Sequence, residues 1–128
     1  MASDEEEQTQ FGSTTPFAEP YWYNSKNANP YYNKDHIQFR NKMRDFVEEE
    51  IIPFVDEWEE AGEIPGNVYR RAGEVGLLPA MAGWPDDEEG QVWPGRPKNF
   101  DGFFTVIAGD ELARCAHGGV FWGLIGGM

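Results

Sequence analysis

A chain of 128 residues is the size of one small domain, and 40% hydrophobic with 15% aromatic residues is enough to bury a modest core. Ten basic against 23 acidic side chains give a formal net charge of -13, which repels phosphate backbones and anionic membrane surfaces and excludes nucleic acid as an expected partner. The single cysteine, Cys115, cannot close an intrachain disulfide, and its place on an apolar helical stripe reads as packing.

The opening MASDEEEQTQ carries neither the basic start and apolar core of a secretory signal nor the arginines of a mitochondrial transit peptide. A soluble intracellular setting is expected, the cytoplasm first and the peroxisome as the other candidate. Residues 1–10 are too polar to offset the entropy of ordering. Residues 11–32 interleave Phe17, Tyr21, Trp22, Tyr23, Tyr31 and Tyr32 with Pro16, Pro20 and Pro30. Residues 1–34 are therefore expected to form a disordered or irregular acidic and aromatic arm, with rings that either dock on the domain or a partner or stay free.

From Asp35 the apolar positions Phe39, Met43, Phe46, Val47, Ile51, Phe54, Val55 and Trp58 recur at helical spacing. Asp35 serves as N-cap and Gly62 as the residue after the last turn, which predicts a long helix over 35–61. Pro53 removes the hydrogen bond to the carbonyl of Glu49 and crowds that turn, so the helix should bend there while both pieces share one core. Its carboxylates point away from the apolar stripe and are expected in solvent. Pro65 starts a shorter helix over 65–75 that Gly76 ends. The segment AMAGWPDDEEGQVWPGRPKN then reads as a loop, and its acidic run at Asp86–Glu89 lacks the spaced oxygens and central glycine of a calcium loop.

Asp101 is the expected N-cap of a helix over 101–117 with a stripe of Phe104, Ile107, Ala108, Leu112 and Cys115. Gly109 inside it suggests a close backbone crossing. Glu111 is the one carboxylate on that stripe, suited either to a general acid or to a buried structural hydrogen bond, and the second is expected. A last helix over 119–128 is apolar nearly all round but about half the length of a membrane span, so none is expected despite the small-residue spacing of Gly119, Gly123 and Gly127. It stops without a cap, as if in mid-element.

No glycine-rich phosphate loop follows a strand, no His and Cys set has metal spacing, and no serine elbow is present, so no catalytic, cofactor-binding or metal-ligating residue is assigned. His36 and His117 fall at helix ends, where surface or capping roles are expected. The fold class is all-α, a small bundle with a long proline-bent first helix.

The stretch FRNKMRDFVEEEIIPFVDEWEEAGEIPGNVYRRAGEVGLLPA resembles the N-terminal helices of the acyl-CoA dehydrogenases, carried by Pro53, Trp58, Gly62, Pro65 and Gly76 to Leu78. FDGFFTVIAGDELARCAHGG is similar to the family's next long helix, with Asp110, Glu111, Leu112 and Ala113 on its Glu-Glu-Leu-Ala segment. The connection AGWPDDEEGQVWPGRP departs from the family's Pro-Glu-Glu-Tyr-Gly-Gly-like turn. The resemblance implies that residues 35–128 are the family's N-terminal helical domain, incomplete at its C-terminal end, with the bent helix as scaffold. It also implies an FAD-dependent oxidoreductase of acyl-CoA thioesters with an electron acceptor and a homo-oligomeric assembly, whose flavin contacts and catalytic glutamate lie in further domains. This chain alone is then expected to be inactive and to bind no FAD. Registering Glu111–Ala113 on the family places Leu124, Ile125 and Met128 at the deep end of the acyl pocket, with interhelical core packing as the competing reading. The other functional class in view is a self-sufficient helical module that binds a protein partner.

Overall fold

The computed structural model describes residues 19, 21–24, 30–84 and 95–126. The expected disorder of residues 1–10, most of the arm, the acidic run at Asp86–Glu89, Gly127 and Met128 lie outside them. Among the described residues there are helices and turns and no strand. Helix α1 spans Lys34–Phe46, α2 Val55–Ala61, α3 Gly66–Glu74, α4 Leu77–Ala82, α5 Gly102–Ala113 and α6 Gly118–Gly126. A single helical turn, Tyr21–Asn24, precedes them.

The start of α1 differs from the expectation at Asp35. Asn33 is the N-cap: its backbone is extended and its Oδ1 accepts from the amides of Asp35, at 2.9 Å, and His36, at 3.4 Å. His36 returns the favour through Nδ1, which accepts from the Asn33 amide at 3.0 Å, so the two residues satisfy otherwise unpaired donors reciprocally. Asp35 sits in the first turn, where its charge still suits the helix dipole.

The bend has a definite form. Between α1 and α2 the chain widens into a π-turn over Val47–Ile51 and then tightens into a 3-10 turn over Ile52–Phe54 that contains Pro53. The Ile52 amide donates to the Val47 carbonyl five residues back. Pro53 has no amide hydrogen to contribute, and the change of register on either side of it lets the apolar row continue into α2. Val47, Ile51, Val55 and Trp58 are all buried, while Glu48, Glu49, Glu57 and Glu60 are exposed as expected. Arg71 of α3 donates from Nε and Nη2 to Glu50, at 2.9 and 3.0 Å, and ties the bend to the next helix.

Gly62 ends α2 with φ 69° and Gly76 separates α3 from α4 with φ 95°. Pro65 caps α3 from just outside it. Helix α4 departs from the expectation of a loop from Ala80 onward. Pro79 falls in its first turn, where no amide donor is required. Asp101 does cap α5, accepting from the Phe103 amide at 3.0 Å. That helix stops at Ala113, four residues short of the expected end, and Ala116 turns the chain with φ 57° before α6 begins.

Helix α5 packs along α1 and against α4, so its central residues form the middle of the core. Phe104, Ile107, Ala108 and Leu112 are essentially inaccessible, and Cys115 is buried with them, as its stripe predicts. Each large side chain buried in this way contributes about 1.5–3 kcal/mol. Gly109 faces the Met81 side chain of α4, whose Sδ would lie 3.8 Å from an added methyl, so no close backbone crossing is present there.

Candidate functional site

The helix expected to line an acyl pocket is α6. Leu124 on it is 1% exposed and belongs to the domain's own core, whereas Ile125 is partly buried against the edge of that core. Met128 lies outside the described residues. Trp122, on another face, is 68% exposed. Leu124 and Ile125 are thus neighbours in sequence with different surroundings.

Two glycines set how closely α6 sits on the rest of the domain. A methyl at Gly119 would collide with the Glu59 carboxylate, and one at Gly123 would come within 2.9 Å of Ile64 Cδ1. The Tyr69 hydroxyl donates to the Gly123 carbonyl at 3.0 Å. The small-residue spacing on α6 is therefore used in packing against α2, the following loop and α3. Around these contacts runs an open cleft of about 470 Å³, lined by Trp58, Glu59, Glu63, Ile64, Tyr69 and Val120 among others. Leu124 and Ile125 are not among its lining residues.

Just before the start of α6, His117 lies between two acceptors. Nδ1 faces the Cys115 carbonyl and Nε2 faces Asp56, both at 2.8 Å. Both ring nitrogens can donate only in the imidazolium form. The carbonyl of Cys115 first, with the carboxylates of Asp56 and Glu59 behind it, holds the His117 pKa above its usual value.

A second polar centre lies inside the bundle. Glu111 of α5 is 2% exposed and receives Arg44 of α1 in a fork, Nε at 2.5 Å and Nη2 at 3.0 Å. Arg40, one turn earlier, brings Nε to 3.6 Å from the same carboxylate. Burial disfavours the Arg44 charge, but hydrogen bonds to Glu111 and Glu19 outweigh it and raise the pKa overall. Near the start of the same helix pair, His36 is 1% exposed, stacks on Phe104 at 4.3 Å and donates from Nε2 to Asp101 at 3.1 Å. His36 is a capping residue as expected, but a buried one. Glu111 takes the structural role, as a partner of arginines.

The arginines went unassigned at the level of sequence. Arg40 and Arg44 are four apart and each follows a core residue, Phe39 and Met43, so they lie on the edge of the buried stripe. That position, read together with an acidic residue on the facing helix, was the available signal.

Several groups that could hold the pyrophosphate of FAD are already committed within the domain. A flavin nucleotide's pyrophosphate needs a glycine-rich turn at an open helix start or uncommitted cations. Here the starts of α1 and α5 are closed by Asn33 and Asp101, and Arg40, Arg44 and Arg71 are held by carboxylates. No group of three or more His, Cys, Asp or Glu among the described residues could hold a metal ion, and no helix among them is long and apolar enough to cross a membrane.

Residues 33–126 match the family described as acyl-CoA dehydrogenase, N-terminal domain. The chain belongs to the acyl-CoA dehydrogenase family. Among relatives of this family member, the acyl-CoA dehydrogenase AFT10-1 of Alternaria alternata is 40% identical over 119 residues, covering 89% of this chain and 27% of its own length. The acyl-CoA dehydrogenase apdG of Emericella nidulans is 29% identical over 123 residues, 91% of this chain and 28% of its own. The mitochondrial long-chain specific acyl-CoA dehydrogenase of Rattus norvegicus is 43% identical over 47 residues, which is 37% of this chain and 11% of that protein. This acyl-CoA dehydrogenase domain thus spans about a quarter of the first relative's length. No solved structure matches it significantly.

Proposed function

We propose that this chain is the N-terminal helical domain of a flavin-dependent acyl-CoA dehydrogenase-like oxidoreductase, one that introduces a double bond between the α and β carbons of an acyl-CoA thioester. The observation that carries the reading is the family match over residues 33–126, supported by the names of relatives that align with most of the chain. The domain's own part is structural and steric. Its core positions α6, and the exposed side of α6 presents apolar surface in the region that the resemblance assigns to the acyl pocket. FAD, the electron acceptor and the catalytic base belong to other parts of such an enzyme, and the assembly is a homo-oligomer.

Within this reading Ile125 is the better placed of the pocket candidates, because Leu124 is enclosed by the domain's own core. A chimera tests both levels: this chain replaces the aligned segment of the Alternaria relative. A folded chimera that retains FAD and oxidises acyl-CoA supports the domain assignment, and a folded chimera with neither property overturns it. In the active chimera, Ile125→Trp should shift preference toward shorter acyl chains. Unchanged preference would return Ile125 to ordinary packing.

A further inference from the structure

Arg40 and Arg44 project from consecutive turns of α1, with side chains 8% and 10% exposed. Glu111 offers them one carboxylate, which Arg114 also approaches at 4.0 Å, so the guanidiniums outnumber it. Desolvated charge of that kind is costly unless an anion completes it. Glu19, ahead of the family-matched residues, completes it. Its carboxylate accepts from Arg40 Nη2 in close contact, and from Arg44 Nη1 at 2.7 Å and Nη2 at 3.0 Å. Arg40 Nη1 donates to Asn41 Oδ1 at 2.9 Å, and its buried Nε makes no hydrogen bond.

Other contacts bring the same segment to the same place. The Tyr23 ring lies against the Arg40 guanidinium, 4.0 Å from its carbon to the ring centroid. Trp22 stacks on Tyr32 with centroids 4.2 Å apart and planes 9° from parallel, and Tyr32 meets His36 edge-on at 5.3 Å. The Arg44 hydrogen bond is the main reason that the Glu19 pKa falls to about 2, against an opposing effect of burial and with Arg40 adding to the fall.

We propose that Arg40 and Arg44 form a carboxylate-recognition site on the flank of α1, that Glu19 fills it in cis, and that Glu19 with residues 21–24 is held on the domain as a strap through this contact. The site is built for a small oxyanion: two guanidinium edges converge on one point, and Glu111 behind them fixes their direction. When Glu19 is absent the site retains the geometry and the uncompensated charge to take up phosphate or a free carboxylate.

The test uses the full chain and its Glu19→Ala and Glu19→Gln variants. Chymotrypsin cleavage after Trp22 and Tyr23, located by mass spectrometry, should be about tenfold or more faster in Glu19→Ala, with Glu19→Gln intermediate. Inorganic phosphate stabilises folded chains generally, so the reading is a difference: its gain in melting temperature over sodium chloride of equal ionic strength should be larger in Glu19→Ala than in the unaltered chain. Unchanged cleavage in Glu19→Ala would overturn the strap. Faster cleavage without that larger gain would overturn the anion site and leave Glu19 as a plain ion-pair partner. Glu19 is 28% exposed, so neither variant disturbs the core.

Discussion

Glu111 is where one substitution tests the most packing. Glu111→Ala would leave Arg40 and Arg44 with Glu19 as their remaining carboxylate beside a small cavity, and breaking a buried pair from one side costs about 3–5 kcal/mol. Urea unfolding should show that loss, and a change below about 1 kcal/mol would mean that Glu19 and water suffice to hold the arginines. Gly76 gives a second contrast. Gly76→Ala must hold φ 95° and place a methyl 3.1 Å from the Trp84 ring, whereas Gly123→Ala is crowded by the flexible end of Ile64 and touches the Tyr69 hydroxyl at an ordinary 3.7 Å. The first should cost about 1–3 kcal/mol and the second less. His117 gives a pH signature. Its folded pKa lies above the ordinary 6.5, so its stabilising contribution is complete below about pH 6.5 and is lost as pH rises through the folded value. Thermal melts of His117→Gln should lack that decline. At this scale Glu111 was legible as a lone carboxylate on an apolar stripe. Arg40 and Arg44 were not, since arginines at a stripe's edge usually reach water along their flexible stems.

Among the elements, long periodic patterns mark the helix type, and local signals mark the ends at Gly62, Pro65, Gly76 and Asp101 but not the start of α1 or the whole of α4. The apolar rows of α1, continued into α2, and of α5 each extend over two turns or more, which fixes helix type but leaves their ends loose. The start of α1 moved from Asp35 to Asn33 because two good cap residues stand two apart, and the reciprocal bond with His36 decides between them. Helix α4 has only six residues, too few for periodicity, and contains a proline that usually marks a boundary. Tertiary contact holds it: Thr105 Oγ1 of α5 donates to the Ala80 carbonyl at 2.7 Å, and Leu77 and Ala80 are fully buried. Thr105→Val preserves shape and deletes the donor, so about 1–3 kcal/mol should be lost. Amide exchange within 77–82 should rise more than exchange in α1, and uniform acceleration would show that the bond stabilises the whole bundle equally.

For the molecule as a whole, charge is the dominant global property. With a net charge of -13, the folded chain repels itself, and added salt screens that repulsion while leaving the buried Arg44–Glu111 pair largely untouched. Stability should therefore rise between low-salt buffer and about 0.5 M sodium chloride. A fall would show that exposed pairs such as Arg71–Glu50 matter more than the net charge. The purified chain should also be colourless and leave acyl-CoA unoxidised, and a yellow preparation that reduces an electron acceptor would contradict the division of labour proposed above. The all-helical class was legible from pattern alone. The pocket was less so, because whether Leu124 faces a ligand or its own core depends on how closely α6 sits on α2 and α3, which no spacing rule specifies.

The π-turn at Val47–Ile51 holds one residue more than an α-turn, so the chain can lose a letter there and keep its register. Glu49 is exposed, so Glu49→Ala should alter stability by no more than about 0.5 kcal/mol. Deleting Glu49 lets the turn close to α-helical width, with Val55 and Trp58 still on the core. Deleting the likewise exposed Val106 from the regular helix α5 has no such slack: with 3.6 residues per turn everything beyond it rotates by about 100°, and Leu112 swings off the core. Where a residue is lost matters more, along this chain, than which one.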